Sequence, residues 1–187
     1  MKSLLQEIKK CKLCEDFITP RPVVTASEKS KIIIIGQAPG TKVHASGIPW
    51  DDASGRQLRN WLGVTNEQFY DTDIFGIIPM GFCYPGKGKS GDLPPRKECA
   101  PKWHHELFEH MDNIELILLI GMYAQKYYLR EKAEKTLTET VNNFEAYLPN
   151  YFALPHPSPR NRFWLSKNKW FESHVVPLLK EKVHQII

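Results

Sequence analysis

Four groups of residues in this chain have the types and spacings that chemistry needs. Cys11 and Cys14 form a C-x2-C pair, and Cys83 and Cys99 follow after 68 and then 15 intervening residues. A reducing compartment keeps disulfides open, and a chain of this length needs no such staples. Four soft thiolates suit an iron–sulfur cluster or a structural zinc ion, and the other reading is four separately buried thiols. Gly36-Gln-Ala-Pro-Gly40 is a turn whose glycines admit close backbone approach and whose amides can cradle an anion. It carries neither G-x-G-x-x-G nor G-x-x-x-x-G-K-[ST], so a dinucleotide or triphosphate site is poorly supported, and a plain tight turn remains open.

Asp51 and Asp52 stand between Trp50 and a helix expected to begin near Ser54. There a carboxylate either complements the helix dipole or serves as a base that positions water. Trp50 is either core or the flat wall on which a base stacks. His156 is followed by Pro157-Ser-Pro159, which leaves the imidazole little backbone freedom and suits a site, against the alternative of a structural histidine. The remaining histidines, His44, His104, His105, His110, His174 and His184, are expected at the surface.

The elements that must position these groups alternate between strand and helix. A helix over Leu4 to Cys11 delivers the first cysteines, and Ile18 to Ser30 runs extended. Lys31 to Gly36 is a β-branched run suited to a buried central strand, followed by a helix with Leu58, Trp61 and Leu62 at helical spacing and Ser54 as its cap. Ile74 to Met80 is a second strand, and Gly81 to Pro95, with four glycines and three prolines, is a long loop. Helices are expected over Pro101 to Met111, Met122 to Leu129 and Leu137 to Phe144, and strands over Glu115 to Ile120 and Tyr151 to Leu154. An amphipathic terminal helix over Lys169 to Ile187 is interrupted at Pro177. This order predicts a three-layer α/β sandwich, a central, mostly parallel sheet with helices on both faces, as one domain over residues 1–187. Ligands of such sheets sit beyond the carboxyl ends of the strands, where Gly36 to Asp52, Pro79 to Pro95 and His156 to Asn161 gather.

Composition bounds the function. The chain has 187 residues, 42% hydrophobic and 25% charged, which suits an ordinary globular domain and excludes disorder. The apolar runs Ile32 to Ile35 and Leu116 to Ile120 fall far short of the roughly 20 residues of a membrane span, so no membrane partner is expected. Met1 to Lys12 does not have the form of a signal peptide, and the expected address is cytoplasmic. A net charge of +4 is compatible with a phosphate-backbone partner without requiring one.

Three patterns together resemble the uracil-DNA glycosylase superfamily. Gly36-Gln-Ala-Pro-Gly40 resembles its first motif, and His156-Pro-Ser-Pro-Arg-Asn161 its second, in the form found in the single-strand-selective monofunctional branch. Gly47-Ile-Pro-Trp-Asp-Asp-Ala-Ser-Gly55 is similar in spacing to a segment of the iron–sulfur branch, with Trp50 where that branch stacks a phenylalanine on the base. The cysteine arrangement is similar to the one that holds a 4Fe-4S cluster there, which implies Cys11, Cys14, Cys83 and Cys99 as ligands, with structural zinc as the alternative.

The resemblance implies a DNA repair hydrolase, acting as a monomer on single- or double-stranded DNA, that cleaves the N-glycosidic bond of uracil or another deaminated base. It implies His156 and Asp52 as catalytic residues and Gln37, Ala38 and Trp50 as base-binding. Ser54, Pro157, Ser158, Pro159, Arg160 and Asn161 would meet DNA, Arg160 standing where some branches carry an apolar wedge. Ala38 replaces the Asp or Asn that several branches use on water, and Pro79 and Met80 lie near the place of the asparagine that usually reads the uracil edge. These departures leave a catalytically weak or inactive nucleic-acid or nucleobase-binding protein of the same fold as the alternative.

Overall fold

The computed structural model describes residues 1–187. Four strands, β1 (Ile32–Ile35), β2 (Phe75–Ile77), β3 (Leu116–Ile120) and β4 (Tyr151–Leu154), form one sheet in the order β2-β1-β3-β4. Every pairing is parallel, with Ile32 opposite both Phe75 and Leu116, and Leu118 opposite Phe152. The continuous isoleucine run of β1 follows from that position. Side chains alternate across a strand, so a central strand covered on both faces must be apolar at every residue. Ile32 and Ile34 enter one core, while Ile33 and Ile35 enter the other.

Helices cover both faces. The first core takes Leu58, Trp61 and Leu62 from α3 (Ala53–Leu62), Phe69 from α4 (Asn66–Tyr70), Val141 from α7 (Leu137–Asn142), and Leu179 and Val183 from α9 (Val176–Ile186). The second takes Leu4 and Ile8 from α1 (Lys2–Lys9), Trp103 and Leu107 from α5 (Cys99–Phe108), and Ala124 and Leu129 from α6 (Met122–Leu129). Two short helices, α2 (Thr41–Ser46) and α8 (Arg162–Lys167), follow the two sequence motifs. No helix is long and apolar enough to cross a membrane.

The structure corrects three sequence expectations. Asp52, not Ser54, caps α3: its Oδ1 accepts the Gly55 N–H at 2.8 Å, which satisfies a helix-end donor. Pro177 does not end the terminal helix: it stands in the first turn of α9, just where a π-helical turn over Phe171–Val175 passes into the α-helix. His104 is not at the surface but 2% exposed, on the same face of α5 as Ala100, Trp103 and Leu107.

His104 is satisfied there. Its Nε2 donates to the Pro79 carbonyl at 3.0 Å, which leaves Nδ1 to accept the Tyr128 hydroxyl. Burial pushes its pKa down from 6.5 to about 4, so the folded protein holds it neutral where the unfolded chain would take up a proton. A depressed folded-state value contributes stability above pH 6.5 that is lost on acidification toward about 4. The denaturation midpoint is expected to fall across that window, this residue accounting for about 3 kcal/mol at most. Midpoints measured from pH 7 to pH 4 on the parent and on His104→Phe check this, the variant losing less over the window.

Candidate functional site

β1 ends at Ile35, and the chain turns at Gly36 beneath the indole of Trp50: a Cβ on Gly36 would lie 2.9 Å from Trp50 Cζ2. Trp50 adopts a left-handed backbone, φ +56°, which a bulky residue holds only where its surroundings impose it. The constraint is visible at Gly55. A Cβ there would fall 1.8 Å from the Trp50 carbonyl oxygen, so the first turn of α3 and the Trp50 backbone touch through a glycine that no other residue can replace without movement. The Trp50 ring then faces that of His156, with centroids 5.6 Å apart and planes tilted by 36°.

Around this pair lies a cavity of about 460 Å³. Gln37, Ala38, Trp50, Asp52, Ser54, His156, Ser158, Arg160 and Asn161, all singled out in the sequence, line it together. Pro157 and Pro159 do not: Pro157 is buried, and Pro159 is exposed at the start of a 3-10 turn over Pro159–Asn161. Asp51, the rival of Asp52, is exposed and also outside the lining.

The cavity is polar in an ordered way. The backbone N–H groups of Gln37 and Ala38 make no hydrogen bond within the protein, so both are available to a ligand. Burial lowers the His156 pKa, while Asp52 and then Asp92 pull it upward, and the net effect keeps the imidazole neutral at neutral pH. Asn161 Nδ2 donates to the His156 carbonyl at 2.7 Å and fixes the turn. A Cβ on Gly91 would lie 3.4 Å from Arg160 Nη1, which places the guanidinium beside the long loop.

Sequence reasoning missed Asp92. The loop between β2 and α5 folds into a small hairpin, with Lys87 bridged to Asp92 and Leu93 N–H donating to the Gly86 carbonyl at 2.9 Å. Gln37 Nε2 donates to the Leu93 carbonyl at 3.2 Å, which draws the hairpin over the first loop and sets Asp92 in the cavity wall, its Oδ1 accepting from Tyr84 at 3.3 Å. An acid in a loop at the ligand-binding edge was the only signal. Phe163, one residue into α8 and 69% exposed among Arg160 and Arg162, also escaped notice.

The four cysteines share a second, apolar cavity, lined also by Leu13, Ile18, Phe82 and Trp103. Cys99 Sγ accepts the Phe82 N–H at 3.3 Å. Burial pushes the thiols of Cys83 and Cys99 up to about 11 and about 12, the neighbouring cysteines adding to the rise. No three of the chain's His, Cys, Asp or Glu side chains are gathered as ligands of one ion. Four thiols around one apolar wall are a donor set that suits an iron–sulfur cluster or a structural zinc ion.

A profile described as the uracil DNA glycosylase superfamily matches residues 23–180. The chain belongs to that superfamily. It is 22% identical over 157 residues to the Type-4 uracil-DNA glycosylase of Sulfurisphaera tokodaii, covering 81% of this chain and 68% of the relative. It is 24% identical over 129 residues to the Type-4 uracil-DNA glycosylase of Archaeoglobus fulgidus, covering 66% of this chain and 61% of the relative. The chain thus spans about two thirds of these relatives' length. As a superfamily member it carries the α/β sheet with both motif loops at one edge.

The contact at Gly55 generates a prediction. Gly55→Ala is expected to force Trp50 outward and lower stability by about 1–3 kcal/mol, the scale of an overpacked contact. Thermal melting measures the loss. The Trp50 indole N–H resonance, assigned through Trp50→Phe, is expected to move while the other tryptophan resonances stay in place.

Proposed function

We propose that this protein hydrolyses the N-glycosidic bond of uracil or another deaminated base in DNA. The observation that carries the proposal is the convergence on one cavity of the Trp50 face, the His156 imidazole, the free amides of Gln37 and Ala38 and the Asp52 carboxylate. Two relatives named as Type-4 uracil-DNA glycosylases support it.

The base leaves the strand and stacks on Trp50. As the C1′–N bond breaks, its electron pair passes to the base and positive charge collects on the sugar. Water adds its oxygen to C1′ and gives up a proton, and the base departs as an anion that is then protonated, leaving an abasic site. The two developing charges need opposite partners. His156, neutral and half-buried, donates an N–H to a base carbonyl oxygen on which negative charge grows, with the Gln37 and Ala38 amides directed at the same base. Asp52 stabilises the sugar cation and orients the water; its bond from Gly55 N–H fixes the carboxylate on the helix end. This assignment gives Asp52 the work that Ala38 has no side chain to perform.

Ser54, Ser158, Pro159, Arg160 and Asn161 meet the DNA, while the buried Pro157 only holds the turn. Arg160 presses beside the flipped nucleotide and contacts phosphate, a use that suits a planar guanidinium. Cys11, Cys14, Cys83 and Cys99 hold a 4Fe-4S cluster, whose contribution when bound is to tie the amino-terminal segment to the long loop.

Oligonucleotides bearing uracil, hypoxanthine or xanthine in single and double strands, cleaved with alkali after incubation, test the reaction. Strand scission is expected; binding without scission would instead identify a binding protein that has lost the chemistry. His156→Ala is expected to reduce excision by about 10²-fold or more, the scale of losing one donor to a developing anion. Because the His156 pKa is lowered, the active neutral form persists below the usual histidine value of 6.5. The acid fall in rate is therefore expected at lower pH than an ordinary histidine would give, as a pH–rate profile would read. Anaerobically purified protein is expected to be brown and contain iron, and Cys83→Ser to lose the colour.

A further inference from the structure

Pro49 and Trp50 line the cavity, yet the side chains that hold them stand behind it, on α3 and α4. Tyr70, the last residue of α4, donates its hydroxyl hydrogen to the Pro49 carbonyl at 3.1 Å. Arg59, one helical turn after Gly55 on α3, directs Nη1 between the Trp50 carbonyl at 3.4 Å and the Tyr70 oxygen at 3.5 Å. Its guanidinium lies over the rings of Phe69 and Tyr70, 5.0 and 5.6 Å from their centroids. Arg59 makes no salt bridge, and neither it nor Tyr70 reaches the cavity.

What these contacts hold is a conformation that tryptophan does not choose. A left-handed backbone is unfavourable for a bulky residue and persists only where the surroundings impose it. The Pro49 and Trp50 carbonyls belong to the two peptide units that flank the Trp50 Cα. Fixing both planes fixes φ and ψ of Trp50, and with them the direction in which the indole leaves the chain. Gly55 contributes only room, letting the Trp50 carbonyl come down onto α3. The attraction comes from Arg59 and Tyr70.

The two act as a relay. Half-buried and stacked on two aromatic rings, the Arg59 cation is screened from water, which strengthens what it donates. The Tyr70 hydroxyl accepts from that cation and donates onward to Pro49, so each bond polarises the next. Released from this pair, the strained loop relaxes toward an extended backbone, and the indole leaves its place beside His156.

We propose that Arg59 and Tyr70 form a clamp that holds the Trp50 indole ready to receive an extruded base. The clamp rests on the glycosylase reading and adds to it the residues that position the stacking wall. Both are positioning residues, and neither touches the substrate. Stacking requires a base, so the clamp acts only on a nucleotide that carries one.

Binding to two otherwise identical single strands separates this role from general support of the fold. One strand carries non-cleavable 2′-fluoro-deoxyuridine, the other a tetrahydrofuran abasic analogue at the same place. Tyr70→Phe keeps the ring under the guanidinium and removes only the hydroxyl; it is expected to weaken binding of the first strand by about 3- to 10-fold, the scale of one hydrogen bond, and to leave the second unchanged. Arg59→Leu is expected to lose about tenfold or more on the first strand alone, and Arg59→Lys to recover part of that loss. Beside Trp50→Ala, Tyr70→Phe is expected to have no further effect, because the clamp then holds no ring. On a uracil strand KM is expected to rise with the loss of binding while kcat stays within about twofold. A parent that binds both strands equally, equal losses on both strands, no loss on either, or an effect of Tyr70→Phe that persists beside Trp50→Ala overturns the clamp and leaves the glycosylase reading intact. No excision of any base by the parent, with the base-dependent loss still seen, overturns the glycosylase reading and leaves the clamp standing. If Arg59→Leu does not fold, Tyr70→Phe decides.

Discussion

The parallel register of the sheet is the constraint on which both cavities depend. Because every pairing runs in the same direction, β1, β2 and β4 all release the chain at one edge. The first motif loop leaves β1, the Pro79 part of the pocket wall leaves β2 and His156 leaves β4, so three segments distant in sequence meet without any long side chain reaching across. An antiparallel partner at any of these positions would send its loop to the far edge. The all-isoleucine β1 is what keeps the register central, since it has apolar side chains to give to both faces.

Two histidines show how one physical effect serves different ends. Burial lowers the affinity of both His104 and His156 for a proton. His104 has fixed partners at both nitrogens and behaves as a rigid strut between a helix and the pocket wall. His156 packs its ring beside that of Trp50 in the cavity wall, with carboxylates of Asp52 and Asp92 near enough to oppose the effect of burial. Neutrality is structural in the first case and, in the proposed reaction, a condition of donating to an anion without giving the proton away.

The strands were legible because runs such as Ile32 to Ile35 and Leu116 to Ile120 have no stable home except a sheet covered on both sides, and Met122–Leu129 and Tyr151–Leu154 fall where their patterns place them. Helices α2, α4 and α8 were not, since they lie among turn-forming residues and five or six residues hold little of a 3.6-residue period, whereas the equally short α7 was read as part of a longer expected helix. The cap of α3 was misplaced by two residues because aspartate and serine accept the same backbone bond equally well. His104 was assigned by residue type when its position, in step with Ala100, Trp103 and Leu107, already put it on the inner face. Which motif residues share a cavity followed from the edge rule. Asp92 did not, because its place depends on one side-chain bond from Gln37 to a loop with no period of its own.

The span from Pro79 to Cys99 enters the pocket at its first residue, touches the cysteine cavity at Phe82 and Cys83, rises as a hairpin over the pocket mouth and returns to the cysteines at its end. A loop with both feet clamped is an interchangeable cassette. Lengthening the tip around Lys87 to Gly91 adds loop-closure entropy only logarithmically, and it disturbs neither foot. Reach and charge above the pocket are thereby uncoupled from the chemistry beneath it, so the tip can drift in sequence while Pro79, Cys83 and Cys99 stay where the sheet and the thiol cavity hold them.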